Sequence, residues 1–374
     1  MTVEIVEVTT RALLRRFIHL PAQIHKSHTN WVPPIYMDEW TYFNPKKNRA
    51  FDHCDTILLL AFRNKKCVGR CMGIISHEYN KEHKENHARF AYMETWDESE
   101  VFDALIDYIS RWGRAHGMDK LVGPLAFSDK DPQGFLIEGF DKPVVIATNC
   151  NFPYMPELAG GCGFTKKVDC VVYQIPVPAE IPEFYTKIAG RAKQQNNNLR
   201  VLEFSSRRKL KPFIKPVFEL INVTFVDIYG FIPFTEQEMN DFANRYLFLI
   251  DPRFVKVIVT AQDEVVAFVI AMDDISQGIR KSKGYLFPIG FIHILRAAKK
   301  SNQLNLLLGA IHPDFQGKGL DVLLGMSLIQ SAKKSGKTTI DSHLELEYNT
   351  KVRAEMEKMG GKVYKRFRIF QKEL

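Results

Sequence analysis

One order of elements is legible twice along this chain, and that most narrows what it can fold into. Val3 to Val8 alternates as a strand does, and Leu13, Leu14, Phe17 and Ile18 then recur at helical spacing. The Pro turn Trp31-Val32-Pro33-Pro34 follows, then a hairpin made of Ile57–Phe62, a polar turn at Arg63–Lys66, and Val68–Ser76. A long amphipathic helix marked by Phe102, Leu105, Ile106, Ile109 and Trp112 comes next. The run closes on Lys120–Val122, Gly163-Phe164 and the strand Asp169–Ile175. The second half repeats it: strand Val201–Phe204, helix Phe213–Ile221, Pro turn at Pro233, hairpin Val255–Thr260 with Val265–Met272, and closure at Gly360-Gly361 with the strand Lys362–Phe370. Val265 lies 197 positions after Val68, as Gly360 does after Gly163. A shared offset over that distance favours duplication over two unrelated α/β domains. The Pro-marked stretch Ile175 to Pro182 is the natural linker, dividing the chain into domains 1–178 and 179–374.

The 374 residues, 45% hydrophobic and 25% charged, suffice for two domains with real cores. No apolar run approaches the roughly 20 residues that span a bilayer. Tyr285–Leu295, interrupted by Pro288, Gly290 and His293, reads as a core segment or loop, and its Phe287 and Phe291 as core or cleft aromatics. The first residues show no basic head with an apolar run, so no signal peptide is expected. Six cysteines without a CxxC pair fit reduced thiols in the cytoplasm. Net charge +8 suits an anionic partner. The basic residues fall in small groups rather than one tract, so a nucleic-acid partner is not expected, and without a spanning run neither is a membrane. Histidines 53, 77, 83, 87 and 116 have no defensible ligand spacing, and no metal is expected.

The most specific stretch is Leu304 to Leu328. An apolar strand ending at Ile311 runs through His312-Pro313-Asp314-Phe315 into Gln316-Gly317-Lys318-Gly319-Leu320-Asp321, then into an apolar helix. A strand, glycine turn and helix present free N–H groups and a positive helix end to an anion. Glycines let backbone approach the anion closely. The spacing is neither a Walker loop nor GxGxxG.

This stretch resembles the acyl-coenzyme A signature Q/R-x-x-G-x-G/A of the Gcn5-related N-acetyltransferase (GNAT) superfamily. More weakly, the whole chain is similar to tandem GNAT-like proteins of bacteria, through segments such as Val122–Phe140. The resemblance implies an α/β (α+β) fold of two tandem domains, each a mixed, mostly antiparallel sheet flanked by helices, as a monomer with an internal pseudo-dimer or a homodimer. It implies acetyl-CoA or another acyl-CoA, with Ile311 pairing the pantetheine arm and Gln316, Gly317, Lys318, Gly319, Leu320 and Asp321 at the pyrophosphate. Asp321 departs from the family's small residue. Asn349 and Gly360 keep their places on the family's downstream ladder, but the tyrosine that protonates the leaving thiolate in many members is Met356, which has no proton to give. In the first half Glu94-Thr95-Trp96-Asp97-Glu98 stands where the turn belongs, so that half is not expected to bind coenzyme A. Its loop Gly123–Gly139 is expected to help shape a cleft between the halves.

The reaction so implied moves an acyl group, acetyl being the family's usual one, to a small-molecule amine or other acceptor, and needs a group to deprotonate the amine. Glu345 and Glu347 alternate on the side of His343 and are the candidate bases. Asp273 and Asp274 fit turn capping better, and His312 a structural place in the turn. The alternative is a GNAT-fold protein that binds an acyl-CoA or a partner without turnover.

Overall fold

In the computed structural model, which describes residues 2–374 apart from the side chains of residues 244–246, the strands form one mixed sheet. The first half supplies β1 (Glu4–Glu7), β2 (Cys54–Arg63), β3 (Lys66–Ser76), β4 (His87–Thr95), β5 (Lys120–Gly123), β6 (Phe135–Glu138) and β7 (Thr165–Pro176). The second supplies β8 (Arg200–Glu203), β9 (Val255–Val259), β10 (Val265–Asp273), β11 (Gln303–Ile311), β12 (Thr339–Asp341), β13 (Glu345–Leu346) and β14 (Lys362–Glu373). The two sets of seven come in matching order, with helices at matching places. The linker grows an additional helix, Glu183–Gln195.

The sheet runs β1-β2-β3-β4-β5-β14-β7-β12-β11-β10-β9-β8, so each half gives its last long strand to the other. β7 pairs with β12 of the second half, β14 pairs with β5 of the first, and the two run antiparallel to each other at the centre. Their cross-strand contact includes a two-pronged ion pair, Arg368 to Asp169 at 2.7 and 2.9 Å. Burial alone would raise the Asp169 pKa, but Arg368 and Lys166 outweigh it and hold the carboxyl below its usual range.

Among the described residues only the pairs β4–β5 and β11–β12 are parallel. The helix Ser99–Ala115 covers the first half, burying Val101, Phe102, Leu105, Ile106 and Ile109 at helical spacing. The helix Leu320–Lys334 does the same in the second with Leu323, Leu324, Leu328 and Ile329. No helix among the described residues is long and apolar enough to cross a membrane.

Two local expectations need correction. The alternation that put Glu345 and Glu347 on the side of His343 is broken: β12 stops at Asp341 and β13 starts at Glu345. His343 between them adopts φ +60°, held by its N–H donating to Asp341 Oδ1 at 2.8 Å. Tyr285–Leu295 is a turn entering the helix Gly290–Lys300, whose outer side chains face solvent instead of a core or cleft.

Candidate active site

β11 and β12 pair only through Gln303–Asn305 and Thr339–Asp341. Beyond that, Ser342 bonds Tyr173 of β7 in both directions at 2.9 Å, and β13 pairs with β7. The chain thus turns away from β11, whose residues Leu306 to Ile311 continue alone, bonded on one side to β10. The other edge is free to take a strand-like ligand. A residue bulges from β11 at Leu307, where the register with β10 shifts.

At the end of this edge lies the glycine turn. Gly317 and Gly319 take φ +71° and +76°, a conformation that disfavours any side chain. A Cβ on Gly317 would meet open space, whereas one on Gly319 would lie 2.9 Å from Ala192 of the linker helix. Gln316 Nε2 donates to the Ile311 carbonyl at 3.2 Å, tying strand end to turn. The Lys318 carbonyl accepts from Asn196 at 3.1 Å, and its ammonium lies 4.9 Å from the Phe315 ring centre. Leu320 is fully buried in the core, Asp321 is exposed, and no side chain caps the first turn of the helix. Uncapped N–H groups behind two left-handed glycines suit a diphosphate, so the residues present fit a coenzyme A donor. Asn349 precedes the helix Thr350–Lys358 and lines the adjoining cavity, as does Met356 about two turns further on.

That cavity is large, about 1430 Å³, and its walls come from both halves of the chain. Most of its lining is apolar, including Val217, Phe218 and Ile221 from one side and Val144, Val145 and Ile146 from the other. The loop Gly123–Gly139 reaches it through Asp129–Gln133, with the Asp129 N–H on the Gly230 carbonyl at 3.1 Å and Lys130 bonded to the Ile232 carbonyl. Burial pushes the Asp129 carboxyl up to about 6.

The two carboxylates expected to share a face are parted. Glu345 lines the cavity with no hydrogen-bond or ion-pair partner among the described residues, and burial pushes its pKa up to about 8. Glu347 points elsewhere: it holds Lys166 at 2.6 Å and accepts the Asp169 N–H at 3.1 Å, a tie between β7 and the chain after β13. His343 lines the cavity, bonded through Nε2 to the Ile146 carbonyl at 3.1 Å, and burial lowers its pKa. Asp273 pairs with Lys337, and Asp274 accepts from Ser276 at 2.6 Å, both structural uses.

Sequence reasoning missed two features. Tyr185, on the linker helix, lines the cavity where it meets the groove over the glycine turn. Its hydroxyl is buried and has no partner among the described residues, and burial raises its pKa, so it stays protonated. Nothing in the Pro-rich linker signalled a site. The other feature joins His25, His28 and Cys150, whose ligand atoms lie within 4.8 Å of one another. The His25-x-x-His28 spacing was the available signal, but Cys150 stands 122 positions further on. Bonds from His25 to Glu94 at 3.1 Å and to His28 at 3.0 Å satisfy these rings without an ion.

In the first half, β4 and β5 also part after three paired residues, His87–Arg89 with Lys120–Val122. There the chain fills its own gap: Leu125 N–H bonds the Phe90 carbonyl at 2.9 Å, Tyr154 hydroxyl bonds the Thr95 carbonyl at 2.9 Å, and Glu94 sits at the mouth with His25.

The palindromic sheet, the splayed parallel pair and the glycine turn define a tandem GNAT fold. Two solved structures share it. One is a tandem GNAT protein from the clavulanic acid biosynthesis pathway, with TM-score 0.57, 11% identity and coverage of 99% of this chain and 98% of that one. The other is a GCN5-related N-acetyltransferase from Sphaerobacter thermophilus, with TM-score 0.53, 10% identity and coverage of 99% and 95%. No family model matches the chain. Among characterised proteins it is 28% identical over 381 residues to a bacterial ceramide synthase of Caulobacter vibrioides, covering 99% of this chain and 97% of the relative.

Proposed function

We propose that this chain is an N-acyltransferase that moves a long acyl chain from acyl-CoA to the amine of a lipid-like acceptor, as a sphingoid base would be in ceramide formation. The observation that carries this reading is the cavity: about 1430 Å³, mostly apolar, beside the free edge of β11. The cavity takes in the donor edge Leu306–Ile311 and the turn at Gln316-Gly317, so the coenzyme fills part of it, and the apolar wall beyond, with Val217, Phe218, Ile221 and Val144–Ile146, suits a long acyl chain and an apolar acceptor. Likeness to a relative named for ceramide synthesis supports the same substrate class.

In this reading the acyl-CoA supplies the activated thioester. Backbone from Leu306 to Ile311 pairs its pantetheine arm, and the N–H groups from Gly317 to Asp321 face its pyrophosphate. Glu345 accepts the proton that the acceptor nitrogen loses as its C–N bond forms. Set in an apolar cavity with its pKa near 8, it is poised to trade protons near neutral pH. As the C–S bond breaks, the Tyr185 hydroxyl gives a proton to the departing sulfur, the role Met356 has no proton to fill. The first half contributes cavity wall and no second donor site, its own splay being filled from within.

The test is incubation of the purified chain with acyl-CoAs of graded length and a long-chain amine, with mass spectrometry of the amide and calorimetric titration of each acyl-CoA. Amide formation that rises with chain length supports the reading. Saturable acyl-CoA binding without amide from any amine would instead favour a non-catalytic holder of acyl-CoA, the reading that Met356 supports. Absence of binding overturns both.

A further inference from the structure

Five large apolar side chains stand exposed within eleven residues, Tyr285, Phe287, Ile289, Phe291 and Leu295, and Phe287 is 73% accessible. Single exposed apolar residues are ordinary, but a contiguous group is not. From Ile275 to Lys300 the chain carries Arg280, Lys281, Lys283, Arg296, Lys299 and Lys300 and no acidic residue. None of these six cations has an ion-pair partner among the described residues, and the bracketing acids Asp273 and Asp274 are engaged with Lys337 and Ser276.

The segment is built to present these groups. Its two helices, Ser276–Lys281 and Gly290–Lys300, meet where a Cβ on Gly278 would lie 2.5 Å from Ile294 Cα, so they pack backbone to backbone. Ile279, Leu286 and Ile294 anchor the inner face against Ile35, Leu249 and Ile250. Below, the Gly284 carbonyl accepts the Tyr36 N–H at 3.1 Å. Several anchoring residues, among them Ile35, Leu249, Ile250 and Ile279, also line the large cavity. The segment that carries the exposed tip therefore also forms part of the cavity wall through its inner face.

We infer that the segment Ser276–Lys300 docks this protein on an anionic lipid bilayer, its aromatic and aliphatic tip in the headgroup layer and its cations on the lipid phosphates. An apolar tip ringed by unpaired cations matches an interface that is apolar below and negative above. A second copy fits poorly, because a two-fold contact would set these cations against their own copies. Docking through a segment whose inner face walls the cavity holds the site close to the lipid that would supply a water-insoluble amine or acyl chain.

The test is co-sedimentation of the full chain with vesicles of phosphatidylcholine alone and of phosphatidylcholine mixed with phosphatidylglycerol, at low and high salt. Binding to the mixed vesicles that weakens with salt is expected. Phe287→Ser and Phe291→Ser should each lower partitioning by about tenfold, and Lys299→Gln and Lys300→Gln by about fivefold each. All four sites are exposed, so unchanged thermal melts will show that the fold survives. Acylation of a water-soluble short-chain amine, where it occurs, should be unchanged in these variants, which separates loss of docking from loss of chemistry. No affinity for anionic vesicles, equal binding by the variants, or a dimer that the same substitutions dissolve in the absence of vesicle binding would each overturn the inference.

Discussion

Replacing Glu345 by Gln should stabilise the protein in mildly alkaline solution while it removes the proposed base. In the fold the carboxyl titrates at about 8, against 4.5 when free of burial. The folded chain therefore binds this proton more tightly than the unfolded chain, and stability falls as pH rises between those values. The contribution is complete below about 4.5 and lost as pH climbs through about 8. At about 1.36 kcal/mol per pH unit, the full span would be worth nearly 5 kcal/mol. Glu345 faces a cavity that admits water, which lowers the cost of its charge, so about 2–3 kcal/mol is the working figure. For a chain this long that is about 2–4 °C in melting temperature. Gln keeps the shape and never ionises.

The assay is the melting temperature of both proteins from pH 5 to pH 9. The native curve should fall across that range, and the Glu345→Gln curve should sit with it at pH 5 and above it by pH 8 to 9. Acyl transfer by the variant should drop about 10²–10⁴-fold, and native turnover should rise with pH through about 8, as expected of a base that must be ionised. Parallel melting curves would refute the buried environment assigned to Glu345. Intact turnover would refute its role even if the curves diverge.

Three further outcomes follow from the same geometry. Gly317→Glu should abolish saturable acyl-CoA binding in calorimetric titration while costing about 1–2 kcal/mol in stability, because its φ is left-handed but its surroundings are open. Gly319→Glu is the poorer probe, since its side chain would also push on Ala192. Tyr185→Phe should leave the melting temperature unchanged or slightly higher, its hydroxyl having no partner among the described residues to lose, while slowing turnover about 10²-fold through loss of the proposed acid. Asp169→Ala strands Arg368 and removes the central tie, and should cost about 3 kcal/mol in denaturant unfolding at neutral pH. Held below its usual 3.8, Asp169 contributes stability that is present above that value, so this difference should shrink as pH falls below about 4.

The sequence carried the elements well because each rests on a local signal. Alternation marked both hairpins, and helical spacing marked the Phe102–Trp112 and Leu320–Leu328 faces. It could not carry which strand lies beside which. β7 and β14 are both 12-residue strands, so alternation says that each is a strand without saying whose sheet it completes. The splay was hidden for a related reason: it depends on His343 turning through a bond to Asp341 and on Ser342 reaching across to Tyr173. Glu345 and Glu347 looked alike because unbroken alternation puts them on one face, but β13 ends at Leu346, and Glu347 falls in the turn after it, held by Lys166 and the Asp169 N–H. Phe287 and Phe291 were read as core or cleft because composition cannot tell a buried aromatic from one held out by a helix pair joined at Gly278.

The exchange of last strands bears directly on how many sites the chain can hold. Were each half closed by its own strand, two splayed seams would open independently, and each could take a donor. With β7 beside β12 and β14 beside β5, the two seams are built into one sheet, and the residues that fill one help to wall the other. Leu125 and Tyr154 close the first seam, while the loop from Ser128 onward leans across to Gly230 and Ile232 and bounds the cavity of the second. A half without the glycine turn thus has a shape the other half needs, and removing it would unroof the cavity as well as unpair β14. That arrangement calls for one acyl-CoA per chain. A titration that returned two would mean that the bonds closing the first seam yield to a ligand, and that Glu94 beside it moves away from His25 to admit a diphosphate.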